Sequence, residues 1–169
     1  MSKPFTATLA IAGLALVPAF SFLPQSMQDP APLDLDGLKA LIANMGYEKK
    51  DLSETKFEIS ITQDTFDVPV AFEVSGSGRY IWLTAFLGKV PDEGLPALQA
   101  NALLRRNHSI QPAHFYVTST SSLMIGLAVE NRGMDAVMMR RAVSKLAADV
   151  ASSSDDWAIQ GDEEEEEDL

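Results

Sequence analysis

Two consecutive segments of this sequence alternate apolar and polar side chains with a period of two, and this pattern restricts the fold more than any other feature. Residues 55–64 read TKFEISITQD, and residues 65–75 read TFDVPVAFEVS. Such alternation is typical of strands that bury one face and leave the other polar. Gln63 and Asp64 fit a tight turn, so the pattern predicts a β-hairpin. Pro69 indicates an edge strand, or an amide position that faces no neighbouring strand.

The next apolar segment has no polar face. Residues 79–91 read RYIWLTAFLGKVP, and the preceding glycines Gly76 and Gly78 suit a turn into it. A strand that is apolar on both faces has to be covered on both faces. We therefore predict a central strand that is covered on both sides by the fold, or by helices on one side and a partner on the other.

The remaining periodic segments predict three helices and a second hairpin. Apolar residues recur at helical spacing over residues 35–45, over residues 94–107 and through GMDAVMMRRAVSKLAADVA at residues 133–151. The segment AHFYVTSTSSLMIGLAVENR alternates around a turn at Thr120 and Ser121. The predicted order is α-β-β-β-α-β-β-α. This order indicates an α+β fold with an antiparallel sheet of about five strands and helices mainly on one face.

The first 21 residues resemble a secretory signal peptide. Lys3 precedes the apolar run LAIAGLALVPAF, which is too short for a membrane-spanning helix and has the length of a signal-peptide core. Cleavage after Ala19 or after Ser21 would follow small residues. We expect export to the periplasm or medium. An uncleaved membrane anchor, or a helix of the folded domain in a cytoplasmic protein, remain the alternatives.

The net charge of −11 is concentrated at the C-terminal end. Nine of the 24 acidic residues lie between Asp155 and Asp168, so the rest of the chain is close to neutral. A run of like charges repels itself and buries no core, which predicts a disordered tail. The sequence therefore divides into a signal peptide at 1–21, a spacer at 22–33, an α+β domain at 34–151 and an acidic tail at 152–169. No basic face suggests nucleic-acid binding.

No residues have the spacing of a catalytic, cofactor or metal site. Cysteine is absent, which excludes thiolate ligands, cysteine nucleophiles and disulfides. His108 and His114 lie on either side of Pro112 and have no carboxylate at ligand spacing. Residues 76–78 join two strands, so they indicate a turn instead of a nucleophile elbow or phosphate loop. We therefore predict a protein that is not an enzyme and needs no cofactor.

The order of elements resembles the type III secretion chaperone fold, which also occurs in YbjN-like proteins. The pieces that carry this resemblance are LDGLKALIANMGY, KFEISI, VPVAFEVSGSGRYIWLTAFLG, LPALQANALLRRN, AHFYVTSTSSLMIGLAV and MDAVMMRRAVSKLAADV. The resemblance implies a homodimeric, non-enzymatic module that holds an extended protein segment on apolar grooves. Carried over by position, it gives the candidate interface residues Tyr80, Trp82, Phe86, Leu98, Ala102 and Leu103.

Three functions are consistent with these features of the sequence. The first is a protein- or peptide-binding, chaperone-like domain. Secretion chaperones work in the cytoplasm, so an export signal would place this domain in a different compartment. The second is a structural or regulatory component of the cell envelope that acts through the acidic tail. The third is an enzyme with a dispersed site, which would need Glu58, Asp67 or His114 buried and paired in a cleft. A membrane partner is expected only if the leader is not cleaved.

Overall fold

A computed structural model of the protein describes residues 31–158. These residues form four helices and six strands, and the predicted order α-β-β-β-α-β-β-α is confirmed with one short strand and one short helix added. The elements are α1 (Leu35–Asn44), β1 (Lys50–Asp51), β2 (Lys56–Gln63), β3 (Phe66–Val74), β4 (Tyr80–Lys89), α2 (Ala97–Ser109), β5 (His114–Val117), β6 (Ser122–Glu130), α3 (Ala136–Ser152) and α4 (Ser154–Trp157).

The strands form one antiparallel sheet in the order β1-β2-β3-β4-β6-β5. The α+β class is therefore confirmed, and the sheet has six strands where about five were predicted, because the two-residue β1 pairs with β2. The apolar strand β4 is central, between β3 and β6. Pro69 lies in an interior strand, so it does not mark an edge. The β3–β4 ladder covers only Ala71–Val74 of β3, so Pro69 lies beyond the ladder on that side.

One face of the sheet, here called the core face, packs against α1 and α3. Helix α3 contacts β2, β3, β4 and β6, and α1 adds the fully buried Leu38 and Ile42. Cross-strand pairing aligns the buried residues, and the rings of Phe57 and Phe72 stack with centroids 5.0 Å apart. Burial of apolar area contributes about 25 cal/mol per Å² to folding, so this layer stabilises the fold.

Local capping chemistry explains where the helices begin and end. The Asp34 carboxylate accepts a hydrogen bond from the Gly37 amide at 2.7 Å and caps α1. Gly46 has φ +90° just after the helix, a conformation that favours glycine. Helix α2 begins at Ala97, later than the predicted residue 94, because Pro96 occupies the N-cap with extended backbone.

Both hairpin turns differ slightly from the prediction. Strand β2 continues through Gln63, so the first turn consists of Asp64 and Thr65, with Asp64 at φ 54°. In the second hairpin, the turn lies between Val117 and Ser122, and Ser121 adopts φ 53°. Left-handed backbone is accessible to short polar residues, which explains why neither turn needs glycine.

The fold extends beyond both predicted domain boundaries. Leu33, assigned to the spacer, packs partly buried against the core. At the other end, α3 runs to Ser152 and α4 follows, so the first residues of the predicted tail are folded. The predicted signal peptide at 1–21 and the acidic run at 162–168 lie outside the described residues. Within residues 31–158, no helix combines the length and apolarity needed to cross a bilayer.

Candidate interaction surface

The face of the sheet opposite α1 and α3, here called the outer face, carries large apolar side chains. Alternate residues of β4 point to this face, where Tyr80 and Trp82 are each 39% exposed and Phe86 is 50% exposed. Helix α2 contacts β5 and α4 and does not cover β4. Among the described residues, the centre of the outer face is therefore an apolar surface in contact with water.

A row of small residues crosses the outer face between the aromatic side chains. Thr84 of β4 pairs with Ala71 of β3 on one side and with Gly126 of β6 on the other. Trp82 lies along one flank of this row and Phe86 along the other, because they precede and follow Thr84 by two residues. The outer face therefore has a row of small residues, Ala71, Thr84 and Gly126, between two large rings.

Tyr116 of β5 covers the Gly126 end of this row. A Cβ atom built on Gly126 would lie 2.9 Å from Cε1 of Tyr116, so the tyrosine ring rests directly on the glycine. The His114 ring lies 5.5 Å from the Tyr116 ring, centroid to centroid. Burial raises the pKa of the Tyr116 phenol; the Lys56 ammonium opposes this rise and the Glu73 carboxylate adds to it.

Ion pairs border the outer face on the side of β1 and β2. Lys56 Nζ lies 2.9 Å from a Glu73 carboxylate oxygen, and Lys50 Nζ lies 3.7 Å from Glu58. Exposed pairs of this kind add little to stability, but they leave this margin of the outer face without net charge. The surface therefore favours an uncharged, apolar occupant.

The structure separates the six candidate interface residues into two groups. Tyr80, Trp82 and Phe86 share the outer face. The other three lie on α2, where Leu98 is 84% exposed, Ala102 is half-buried and Leu103 is 4% exposed and part of the core. The apolar residue that α2 exposes beside Leu98 is Leu104, at 68%. Sequence reasoning missed Leu104 because leucines at 98, 103 and 104 are compatible with more than one choice of buried face for α2.

Asn107 fixes α2 against the edge of the sheet. Its side-chain amide donates to the Phe115 carbonyl at 3.2 Å, and its oxygen accepts from the Phe115 amide at 2.6 Å. The Asn107 side chain thus takes the place of a strand partner for β5. This contact satisfies backbone groups of an edge strand that would otherwise be open to pairing with another chain.

The groups that an enzyme would need do not converge. Glu58 pairs with Lys50, Asp67 accepts a hydrogen bond from Thr62 at 2.8 Å, and His114 is exposed. Within residues 31–158, no three His, Asp or Glu side chains form a group that could hold a metal ion. Away from the outer face, burial raises the pKa of the Asp149 carboxyl, and the Lys145 ammonium opposes this rise.

Comparison with known proteins identifies the fold. No protein-family model matches the sequence, and no curated protein is detectably similar to it in sequence. A chain of the heterodimeric ExoU-SpcU complex from the type III secretion system of Pseudomonas aeruginosa has a TM-score of 0.52 and 16% identity, and the match covers 70% of this chain and 95% of that chain. YbjN from E. coli has a TM-score of 0.52 and 12% identity, with coverage of 74% and 96%.

A third structure, the Yersinia pestis type III secretion chaperone SycH with a fragment of YscM2, has a TM-score of 0.45 and 11% identity, with coverage of 68% and 94%. Identities this low establish a shared fold and nothing finer. The matches with TM-scores above 0.5 nevertheless cover nearly the whole of the compared chains. The chain has the fold shared by type III secretion chaperones and YbjN, as the order of its elements predicted.

Proposed function

We propose that this protein is a non-enzymatic, chaperone-like domain that binds an extended segment of a protein or peptide on the outer face of its sheet. The observation that carries the proposal is the group of exposed rings of Tyr80, Trp82 and Phe86 on the central strand. Tryptophan and tyrosine are enriched at the energetic centres of protein interfaces because they bury much area for little lost entropy.

The shape of the outer face suits an extended partner. The small residues Ala71, Thr84 and Gly126 lie in a row between the rings of Trp82 and Phe86. Apolar side chains of a bound segment could lie along this row and contact both rings. Burial of their apolar area would stabilise the complex by about 25 cal/mol per Å², before the cost of ordering the segment.

The shared fold supports this proposal. The ExoU-SpcU structure is a heterodimeric complex, so a chain of this fold is found bound to another protein. We propose that the present chain also binds another protein, and the proposal does not specify which one.

Binding can be tested by panning a random displayed-peptide library against the protein and measuring the affinities of the enriched peptides. We expect Trp82→Thr/Phe86→Thr to weaken these affinities at least about tenfold, because truncating central aromatic anchors costs 2 kcal/mol or more. Threonine keeps β propensity, so the sheet should persist.

The matched control is Val117→Thr, which changes an exposed apolar residue on the edge strand β5. This variant should bind the enriched peptides normally, and circular dichroism should show that both variants are folded. Equal binding by the natural chain and Trp82→Thr/Phe86→Thr, or no peptide enrichment at all, would refute the proposed site.

We further propose a homodimer that uses the exposed leucines of α2. Leu98 and Leu104 are 84% and 68% exposed, and Ala102 lies one turn after Leu98 on the same helix. Two copies that packed these leucines together would remove the most exposed apolar side chains of the helix from water. Light scattering should give the dimer mass for the natural chain and the monomer mass for Leu98→Ser/Leu104→Ser. A monomeric natural chain would contradict the dimer.

We also propose that the protein is exported, on the basis of the apolar run behind Lys3. Mass spectrometry of the protein from separated cell fractions tests this directly. Export predicts a chain in periplasm or medium that begins at Phe20 or Phe22. An intact chain in the cytosol would contradict export and favour a role closer to that of cytoplasmic secretion chaperones, whereas an intact membrane-bound chain would mean that the domain works tethered.

A further inference from the structure

The chain that precedes α1 leaves the fold at the end of the sheet where β4 begins. The Leu33 amide donates to Asn131 Oδ1 at 3.0 Å, and Asn131 Nδ2 donates to the Leu33 carbonyl at 2.7 Å. Asn131 directly follows β6, and its amide donates to the Arg79 carbonyl at 2.9 Å, next to the start of β4. Residues before Leu33 therefore emerge at the end of the β4–β6 pair, where Tyr80 marks the edge of the outer face.

The segment that precedes this point carries apolar residues about ten positions before Leu33. Residues 20–30 read FSFLPQSMQDP and carry one charge, on Asp29. Cleavage after Ala19 or after Ser21 would leave Phe22 and Leu23 on the mature chain. A signal peptide needs no apolar residues beyond its cleavage site, so this apolar pair calls for another explanation.

The length of this segment matches the outer face. The roughly ten residues between Leu23 and Leu33 reach up to about 33 Å when extended. Strand β4 rises about 20 Å from Tyr80 to Phe86. About 13 Å remains, which is enough for the chain to turn around the end of the sheet.

We propose that residues 20–30 of the same chain dock on the outer face along β4, with Phe22 and Leu23 against the exposed rings of Trp82 and Phe86. The inference rests on the proposed function, because it assigns an intramolecular occupant to the surface that a partner would use. Tethering gives the segment an effective concentration in the millimolar range, so modest apolar contacts suffice to hold it. A partner would then compete with this segment for the same surface.

Photo-crosslinking in the full chain, as recovered from cells, tests the docking. A benzophenone amino acid replaces Phe22, and the same probe at Gln160 serves as the control near the other end of the chain. We expect irradiation to join position 22 to residues 80–86 in a product of monomer mass, and the probe at Gln160 to give no such product. Products elsewhere, or no product, would overturn the proposal. A product of dimer mass would overturn the intramolecular form, because the segment would then occupy a second copy.

Binding in trans gives a second measurement that does not depend on any other partner. The probe is the synthetic peptide FSFLPQSMQDPAP, which corresponds to residues 20–32. We expect it to bind the Phe22→Ser/Leu23→Ser chain about threefold or more tightly than the natural chain, whose site is occupied. Equal affinity for the two chains would overturn the proposal.

The two proposals fail in different ways. If the crosslink is absent while Trp82→Thr/Phe86→Thr weakens binding of the library peptides, the docking is wrong and the proposed function stands. If the crosslink to residues 80–86 forms and no library peptide binds the Phe22→Ser/Leu23→Ser chain, the docking is supported and the proposed function is wrong.

Discussion

Asn131 is fully buried and joins three parts of the chain through its side chain. Besides its two bonds to Leu33, Nδ2 donates to the Gly78 carbonyl at 2.9 Å, in the turn between β3 and β4. Each satisfied bond contributes about 1 kcal/mol, and each buried group left unpaired costs about 1–3 kcal/mol. One amide side chain therefore holds the start of α1 against the end of the sheet.

We expect Asn131→Ala to lower the free energy of unfolding by about 2–4 kcal/mol, because it removes three hydrogen bonds and leaves partly buried backbone groups unpaired. Urea unfolding measures this loss. Asn101→Ala, at an exposed position of α2, should change stability by less than about 0.5 kcal/mol. A loss below about 1 kcal/mol for Asn131→Ala would show that water replaces the side chain.

Gly126 allows the Tyr116 ring to lie on the outer face, because any Cβ there would come within 2.9 Å of the ring. We expect Gly126→Ala to destabilise the natural chain by about 1–2 kcal/mol, since the ring has to shift. In a Tyr116→Ala background, the same change should be neutral or stabilising by up to about 1 kcal/mol, because alanine restricts the unfolded chain. A double-mutant cycle measures the difference, and additive effects would mean that the ring does not rest on Gly126.

Asp149 gives stability a dependence on pH with a defined sign. Burial raises the pKa of its carboxyl above the ordinary value, although the Lys145 ammonium opposes the rise. The folded state then binds the proton more tightly than the unfolded state. The contribution of Asp149 is thus fully present below the ordinary pKa and is lost as pH rises through the raised pKa.

The comparison chain for this effect is Asp149→Asn, which has no ionisable group at that position. The unfolding free energy of the natural chain minus that of Asp149→Asn should fall as pH rises from about pH 4 and then level off. Urea unfolding at a series of pH values gives this difference. A difference that increases with pH would mean that the Lys145 ion pair outweighs burial.

At the scale of elements, α2 shows how neighbouring leucines acquire opposite roles. Leu103 faces the core at 4% exposure, and Leu104 is 68% exposed. We expect Leu103→Ala to cost about 2–4 kcal/mol, because it leaves a cavity, and Leu104→Ala to cost less than about 0.5 kcal/mol in the monomer. Thermal unfolding at low protein concentration compares the two. Similar losses would show that α2 is rotated relative to the sheet.

The short helix α4 closes the fold at its C-terminal end. Trp157 Nε1 donates to the Val150 carbonyl at 2.7 Å, and its ring meets Phe66 edge-on with centroids 6.0 Å apart. Asp156 pairs with Arg106 of α2 at 2.5 Å. These contacts tie α3, β3 and α2 together, although the sequence around them reads as the start of a polar tail.

At the scale of the whole molecule, truncation distinguishes the folded domain from the acidic run. Removal of residues 159–169 should change the unfolding free energy by less than about 0.5 kcal/mol, because a run of like charges such as 162–168 is not expected to bury a core. Removal of residues 154–169 should cost about 2–4 kcal/mol, because Trp157 and the Arg106 pair are lost. Urea unfolding of both chains tests this. Loss of peptide binding in the shorter deletion would instead give the acidic run a functional role.

Local sequence patterns predicted α1, α2, α3 and the strands β2–β6 in their order, and they missed the short β1 and α4. Alternation in β2 and β3, the cap at Asp34 and the glycine at 46 are local signals, because each depends on residues within one or two turns of chain. The apolar character of both faces of β4 also predicted that this strand would be central. The resemblance of the element order to type III secretion chaperones and YbjN followed from these signals and is confirmed as a fold.

Which faces of the elements are covered depends on tertiary packing. Periodicity shows that β4 is apolar on both sides, but the packing of α1 and α3 on one side determines that Trp82 and Phe86 are the residues left exposed. Contacts between residues distant in sequence likewise decide three further features. These are the burial of Leu103 instead of Leu104, the hydrogen bonds between Asn131 and Leu33, and the burial of Trp157. Such contacts depend on how whole elements pack, and short-range sequence patterns do not specify that packing.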